Sequence, residues 1–244
     1  DHDDAALAAA IVARLGIRAD ELTGYTVAKR SYDARRRGAI VLIYSIDVDT
    51  PREAELLQRV KDDPAALGGK VLPTPDTEYK FVAKAPASLP LRPLVIGMGP
   101  CGLFAGLVLA QMGFRPIILE RGKAVRERTV DTFGLWRKRV LDPESNVQFG
   151  EGGAGTFSDG KLYSQISDKQ HHGRKVLTEF VAAGAPEEIL YVSKPHIGTF
   201  RLVSMVERMR ATIESLGGEV RFGSRVDDVL VEVDGDGIRH VRGV

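Results

Sequence analysis

Residues 94–122 read LVIGMGPCGLFAGLVLAQMGFRPIILERG, and this stretch is the most informative part of the sequence for the fold of the larger domain. A short apolar run leads into the glycine-rich segment Gly97–Gly102, and a helical pattern follows as far as Met112. A second apolar run ends on Glu120, 18 residues beyond Gly102. The order is strand, tight turn, helix, strand and acid, which predicts a Rossmann-like α/β unit.

Each glycine of the Gly-x-Gly-x-x-Gly pattern has a physical role in a dinucleotide site. Gly97 makes the turn, Gly99 lets the backbone approach a pyrophosphate, and Gly102 allows close packing of helix on strand. Amide N–H groups at the helix start face the phosphates, with the positive end of the helix dipole behind them. The Glu120 carboxylate can accept hydrogen bonds from ribose hydroxyls. We therefore predict a dinucleotide site here.

The same stretch has one competing interpretation. Residues 94–114 carry no charge and are long enough for a membrane-spanning helix. Five glycines and a proline lie inside the run, and a second strand follows it directly. These features argue against a membrane span, and we expect no membrane partner.

Composition sets wider bounds on the protein. The 244 residues suffice for one large or two ordinary domains. The net charge of +1 gives no reason to expect nucleic acid as a partner. Cys101 is the one cysteine, which excludes an internal disulfide and a cysteine zinc site and favours the cytoplasm. The chain starts without methionine and stops in a predicted strand, so we expect a piece of a longer protein.

The N-terminal part is predicted to form a small domain over residues 1–85. Its patterns indicate a helix at 5–15 and strands at 22–31 and 39–48. A second helix is expected to begin at the capping box Thr50–Glu53, and a third strand is expected at 70–72. A strand before Asp1 would complete a βαββαβ unit, so we predict an α+β ferredoxin-like domain.

A basic run, Arg35–Arg37, with Lys29 and Arg30 nearby, raises the alternative of an RNA-binding sheet. Residues 1–90 contain 13 basic and 14 acidic side chains, so the run is locally balanced. We therefore favour a solvated hairpin turn at 33–38, and nucleic acid is not an expected partner.

Five prolines between Pro73 and Pro93 indicate a semi-rigid connector, with a short strand at 79–83. We assign residues 86–93 as the linker and 94–244 as the second domain.

A second glycine-rich stretch, NVQFGEGGAGTFSDGKL, covers residues 146–162 and follows a predicted helix at 123–140. It holds five glycines in eleven residues, which disfavours helix and paired strand alike. Such a loop exposes backbone N–H groups to a ligand, and Thr156, Ser158 and Lys161 add side-chain donors. The alternative is a flexible domain junction.

Histidines and the last elements complete the pattern. His171 and His172 are adjacent and have no partner in zinc spacing, so we interpret them as a surface pair and expect no metal. His196 precedes a helix that begins at Thr199; it could reach a site or simply face solvent. A strand at 219–222 and a hairpin over 226–244 follow.

Three segments carry a family resemblance: GMGPCGLFAGLVLAQMGFRPIILERG, NVQFGEGGAGTFSDGKLYS and KPHIGT. Together they resemble the bacterial family of uncharacterised FAD-dependent dehydrogenases, within the glutathione-reductase-like FAD/NAD(P)-binding flavoprotein superfamily. The resemblance covers most of residues 70–244, and the small N-terminal domain also resembles the one these proteins carry. It implies FAD as the cofactor of the Rossmann-like domain.

The resemblance also implies roles for individual residues. The pyrophosphate turn corresponds to Gly97, Gly99, Pro100, Cys101 and Gly102. Glu120 corresponds to the ligand of the adenosine ribose, with Arg121 and Gly122 beside it. Residues expected near the riboflavin half are Gly152, Gly153, Ala154, Gly155 and Thr156, and the Val226 backbone is expected at adenine. Such flavoproteins normally have a later Gly-Asp segment whose acid binds the cofactor, and nothing after Val244 supplies it in the given sequence.

The resulting expectation is an FAD-dependent oxidoreductase that transfers hydride between an unidentified small molecule and the flavin, with NAD(P)H or another electron partner. Lys161 is a candidate donor near the flavin, and His196 is a candidate substrate-side acid or base. A single cysteine argues against disulfide reductase chemistry. Two alternatives stay open: a nucleotide- or RNA-associated module with structural FAD, and an NAD(P)-dependent dehydrogenase.

Overall fold

The computed structural model of the chain describes residues 3–36, 38–68 and 70–244. The protein is mixed α/β and divides into two compact units. The first comprises Asp1–Glu78 together with Leu190–Ser193, and the second comprises Tyr79–Ile189 together with Lys194–Val244.

The first unit contains two helices and a long antiparallel hairpin. In chain order these are α1 (Asp4–Leu15), β1 (Gly24–Arg36), β2 (Ala39–Asp49) and α2 (Glu53–Asp62). The Asp3 carboxylate accepts a hydrogen bond from the Ala6 amide at 2.7 Å and so caps α1. Apolar faces of both helices meet in a small core formed by Ile11, Leu15, Ile17 and Leu56.

Three predictions from the patterns between residues 33 and 83 differ from the structure. Residues 70–93, all of them described, contain no helix or strand, so the strands expected at 70–72 and 79–83 do not form. Pro73 explains the first, because it donates no N–H to a ladder and restricts the residue before it. The hairpin turn expected at 33–38 is shorter than predicted, because β1 continues through Arg36 and β2 begins at Ala39. Arg37 lies outside the described residues, and the ferredoxin-like arrangement stays a prediction.

The capping box expected at Thr50–Glu53 is not formed as predicted. Helix α2 begins at Glu53, its N-cap is Arg52, and no side chain caps it. The Thr50 hydroxyl instead accepts a hydrogen bond from the Arg52 amide at 3.3 Å.

The second unit is built on a parallel sheet. Its elements are β3 (Leu94–Ile96), α3 (Pro100–Gln111), β4 (Ile117–Leu119), α4 (Val125–Lys138), α5 (His172–Ala182), α6 (Thr199–Ser215), β5 (Glu219–Arg221), β6 (Leu230–Val233) and β7 (Arg239–Gly243). Strands β3, β4 and β5 are parallel, with β4 in the middle. The carboxyl ends of β3 and β4 therefore lie side by side, which brings Gly97 and Glu120 to the same edge.

Helices α3 and α6 pack against each other and on the sheet. The contact of α3 with the sheet depends on Gly106, where a Cβ would lie 2.4 Å from Ile118 Cδ1 of β4. Met209 and Ile213 of α6 are almost fully buried in this core, as the helical pattern of the sequence predicted.

The uncharged run 94–114 is divided into β3, a turn and the 12-residue helix α3. The membrane-helix interpretation of that run is therefore wrong. Across the part of the chain that is described, no helix combines the length and the apolar character that a bilayer crossing requires.

The last elements follow the prediction with shorter bounds. Strand β5 and the β6–β7 hairpin around Asp234–Gly237 are present. Val226 lies before β6, in a segment without regular structure, so the strand predicted to begin there begins at Leu230 instead.

Candidate functional site

The first glycine turn joins β3 to α3. Gly97 has φ +87°, which favours glycine, and its amide donates to the Leu119 carbonyl of β4 at 2.7 Å. Gly99 is the N-cap of α3. At Gly102 a Cβ would lie 1.9 Å from the carbonyl oxygen of Gly97, so only glycine allows the helix this close to the turn.

The start of α3 offers free donors for an anion. The amides of Cys101 and Gly102 lie in the first turn, where no carbonyl of the helix reaches them. Pro100, the first helical residue, has no N–H to satisfy. Cys101 is exposed, so this end of the helix is open to a ligand. Backbone donors and the helix dipole together make the turn suitable for a phosphate.

Glu120 places a buried carboxylate beside that turn. The residue is only 4% exposed. One oxygen accepts a hydrogen bond from the Met98 amide at 2.6 Å, and the other accepts one from the Gly122 amide at 2.8 Å. A carboxylate has about four acceptor positions, so roughly two remain for other donors such as ribose hydroxyls.

The second glycine loop, residues 146–156, packs directly on the first. The Gly152 amide donates to the Met98 carbonyl at 2.8 Å. A Cβ at Gly153 would lie 3.1 Å from Gly99 Cα. On the other side, a Cβ at Gly122 would lie 2.5 Å from Gly150 Cα. The loop is therefore held in place rather than a loose junction, and a ligand at Gly99 would meet both glycine segments.

The loop residues differ in exposure. Gly152, Gly153 and Thr156 are buried, whereas Ala154 and Gly155 are exposed in a short 3₁₀ helix. The Thr156 hydroxyl, predicted as a donor to a ligand, makes a long 3.5 Å hydrogen bond to the Glu151 carbonyl instead. The loop therefore offers mainly its backbone to the site.

Arg128 is a functional residue that the sequence reasoning missed. It is fully buried, and its guanidinium donates to four backbone carbonyls of the second glycine loop. Burial lowers the pKa of this guanidinium to about 10, so it is charged at neutral pH. The signal in the sequence was its spacing, because Val125, Arg128 and Thr132 fall on one face of α4 and all three are buried.

Glu151 is the acidic counterpart within the loop. Its side chain is fully buried, and one carboxylate oxygen accepts a hydrogen bond from the Val125 amide at 2.7 Å. The other oxygen lies 3.0 Å from Arg210 Nε, an ion pair without the angle of a hydrogen bond. Burial raises the pKa of Glu151 despite that amide and Arg210. A carboxylate at the first residue of α4 also complements the helix dipole.

The segment after β5 lies beside Glu120. The Gly223 amide donates to the Gly122 carbonyl at 3.1 Å, and the Ser224 amide donates to the Glu120 carbonyl at 2.9 Å. Val226, predicted at adenine, follows two residues later and is half-buried. The structure thus brings the Val226 segment, Glu120 and Arg121 to one corner of the sheet.

A cavity of about 530 Å³ opens at this corner. Its lining residues are Arg121, Lys123, Asp142, Glu144, Ser145, Gly223, Arg225 and Asp227. Glu144 joins two of the cations, with Arg121 at 2.8 Å and Arg225 at 3.0 Å. Desolvation alone would raise the pKa of Glu144, but hydrogen bonds from both guanidinium groups outweigh it and lower the pKa. The size is within the range of small-molecule sites.

Lys161 and His196, the two candidate catalytic residues, lie directly opposite each other. Their backbones form an antiparallel bridge, flanked by hydrogen bonds from the Leu162 amide to Pro195 and from the Ile197 amide to Gly160. This is a non-hydrogen-bonded pair, so both side chains extend from the same face. Both residues are exposed. Lys161 Nζ lies 3.1 Å from Asp159, and this hydrogen bond lowers the pKa of Asp159.

The adjacent histidines take part in a helix start. His171 is the N-cap of α5, and the Asp168 carboxylate accepts hydrogen bonds from the His172 and Gly173 amides. Among residues 3–36, 38–68 and 70–244, no group of three or more His, Cys, Asp or Glu side chains could hold a metal ion.

Two similarities to known proteins were found. A family model described as "Domain of unknown function (DUF8436)" matches residues 1–49. A protein of Clostridium beijerinckii (strain ATCC 51743 / NCIMB 8052) named "Uncharacterized protein" is 39% identical over 229 residues, covering 94% of this chain and 42% of that relative. The chain therefore spans less than half the length of the curated relative that it matches.

The residues at the site are compatible with FAD. A Cβ at Gly99 would meet only Gly153 Cα, at 4.0 Å, so the side of this glycine is otherwise open. Free amides at Cys101 and Gly102 suit a diphosphate, and Glu120 retains acceptor capacity for a ribose. The cavity is lined by Arg121, which follows Glu120 in the chain, and by Arg225 and Asp227, which flank Val226.

Proposed function

We propose that the second unit binds FAD and that the protein is an FAD-dependent oxidoreductase. The observation that carries this proposal is the contact between two glycine segments beside the buried Glu120 carboxylate. The Gly152 amide donates a hydrogen bond to the Met98 carbonyl in the first segment, and the Met98 amide donates one to the Glu120 carboxylate. The order of the parallel sheet supports the proposal, because β4 lies between β3 and β5 as the second strand does in Rossmann folds.

In this proposal the chain binds and orients the cofactor. The Cys101 and Gly102 amides hold the diphosphate, and Glu120 accepts from the ribose of the adenosine half. The segment around Val226 faces the adenine. The second glycine loop lies beside Gly99 and would bound the diphosphate on that side. Bound FAD supplies hydride transfer, while the protein supplies orientation and electrostatics.

Lys161 and His196 are our candidates for proton transfer at the substrate. Their shared face would let the His196 imidazole and the Lys161 amino group act side by side on one substrate. The substrate in this proposal is a small molecule, and the electron partner is NAD(P)H or an equivalent. We infer a cytoplasmic location from the single cysteine, Cys101.

The purified protein is expected to be yellow, and Gly99→Ala is expected to weaken FAD binding by about tenfold or more. Alanine suits the Gly99 backbone, which has φ −69°, and its Cβ meets no atom closer than 4.0 Å. The loss of stability should stay below about 1 kcal/mol, the usual effect of a poorer N-cap. The added methyl group points instead at the space where a phosphate would approach. Flavin absorbance and a titration of the apoprotein with FAD measure both effects.

Gly235→Ala is the matched control, because a Cβ at this exposed hairpin glycine meets nothing within 4 Å. It should bind FAD as the wild type does. A colourless protein that takes up no added FAD would refute the cofactor assignment. Binding of NAD(P)H in place of FAD would support the nicotinamide-dependent alternative. Unreactive bound FAD, together with RNA affinity that falls steeply with salt, would support the RNA-associated module.

A further inference from the structure

We propose that Arg128 is a positioning residue that sets the shape of the second glycine loop and, through it, the dinucleotide site. The inference rests on the proposed FAD site, because it concerns how that site is held. Arg128 lies one turn into α4 with no exposed surface, and the loop surrounds its guanidinium.

The guanidinium organises the loop through its backbone. Nε donates to the Asn146 carbonyl at 2.8 Å, and one terminal nitrogen donates to Val147 at 2.8 Å. The other terminal nitrogen donates to Glu151 at 2.7 Å and to Gly153 at 2.8 Å. All three nitrogens are used, and the acceptors span eight residues of a segment without helix or sheet hydrogen bonds. Arg128 therefore satisfies four backbone carbonyls that have no strand or helix partner, and it adds to bonds such as the one from the Gly152 amide to Met98.

The loop is also shaped around the side chain. A Cβ at Gly150 would lie 2.3 Å from Arg128 Cδ, and Gly150 has φ +122°. The Phe157 ring covers the guanidinium at 4.8 Å from its centroid. Glycine at 150 and the aromatic ring at 157 are thus the two complementary features that the arginine requires.

The connection continues to the phosphate end of the proposed site. The Gly153 carbonyl accepts a hydrogen bond from Arg128, and the same residue packs against Gly99. The neighbouring Gly152 amide donates a hydrogen bond to the Met98 carbonyl. Glu151 of the same loop bonds the Val125 amide at the start of α4, so helix and loop hold each other reciprocally. The four acceptors of Arg128 are all protein carbonyls, so its effect on a ligand at Gly99 would pass through the loop.

Lysine does not reproduce this arrangement. An ammonium has three donors around one atom, whereas the planar guanidinium spreads five N–H groups over three nitrogens. Arg128→Lys would leave at least one loop carbonyl unsatisfied and remove the flat surface that faces Phe157.

The test compares Arg128→Lys with Arg126→Lys in the same full-length chain. Arg126 is on the same helix, its side chain is 69% exposed, and a lysine there can still pair with Glu207. Amide hydrogen exchange in residues 147–153 should accelerate about tenfold or more in Arg128→Lys, while amides of α3 and the parallel sheet keep wild-type rates. The dissociation constant of FAD should rise about tenfold, and Arg126→Lys should match the wild type in both measurements.

The two measurements separate the hypotheses. Unchanged loop exchange in Arg128→Lys would overturn the positioning role, whether or not FAD binds. Faster loop exchange with unchanged FAD affinity would show that the loop does not act on the site, which also overturns it. If the wild type binds no FAD, the proposed function fails, and the positioning role in that site fails with it. Wild-type loop exchange together with weakened FAD binding in Arg128→Lys would show that Arg128 does not act on the site through the loop.

Gly150→Ala tests the same contact from the loop side if Arg128→Lys does not fold. Its added Cβ would displace Arg128 Cδ, so the same changes in loop exchange and FAD affinity are expected. Wild-type values of both in Gly150→Ala would overturn the proposal.

Discussion

Gly102→Ala is expected to destabilise the second unit by about 3 kcal/mol, at the upper end of the effect of overpacking a well-packed site. The new Cβ would lie 1.9 Å from the Gly97 carbonyl oxygen and 2.9 Å from its carbonyl carbon. Both atoms belong to backbone that is fixed by the bond from the Gly97 amide to Leu119. No rotamer relieves this contact, so α3 must move away from β3. The same movement would widen the first glycine turn between β3 and α3 and so weaken FAD binding.

Denaturant unfolding, monitored at the single tryptophan Trp136 of this unit, measures the loss. Gly134→Ala is the control, because a Cβ there lies 4.0 Å from the nearest atom, the Val140 carbonyl oxygen. Alanine should leave stability unchanged or raise it by up to about 1 kcal/mol in the middle of α4. Equal unfolding free energies for Gly102→Ala and the wild type would show that α3 does not approach the turn as closely as described.

The close approach at Gly102 was predictable because it is encoded locally. The spacing of Gly97, Gly99 and Gly102 specifies the turn, and the apolar runs on either side specify strands that must pair in parallel. Glu120 then follows from its distance along the chain. Local pattern was therefore sufficient for this strand–turn–helix–strand unit, whereas the capping box predicted from an equally local pattern at Thr50–Glu53 does not form.

Long-range partners were not predictable in the same way. The spacing of Arg128 with Val125 and Thr132 can indicate a buried face of α4, but nothing in α4 itself indicates that the loop at 146–153 will cover that face. Lys161 and His196 were chosen from separate stretches, and only the backbone bridge between them reveals that they share a face.

Glu120→Ala is expected to weaken FAD binding by about a hundredfold and to lower stability by about 2 kcal/mol. Two hydrogen bonds from ribose hydroxyls to a charged acceptor contribute roughly 3 kcal/mol of binding free energy. The loss of stability has a separate cause. The Met98 and Gly122 amides both donate to this carboxylate in a buried setting. Without it, each amide is left without its acceptor at a cost of about 1 kcal/mol or more.

Calorimetric titration with FAD and denaturant unfolding measure these two effects independently. Glu188→Ala, at an exposed position, should change neither. Glu120→Gln distinguishes charge from shape, because its amide oxygen can accept from one backbone N–H while its NH₂ group must face the other donor. We expect intermediate stability and nearly the full loss of FAD affinity in this variant. If Glu120→Ala lost stability but bound FAD normally, the carboxylate would serve only to join the Met98 and Gly122 segments, and the ribose would lie elsewhere.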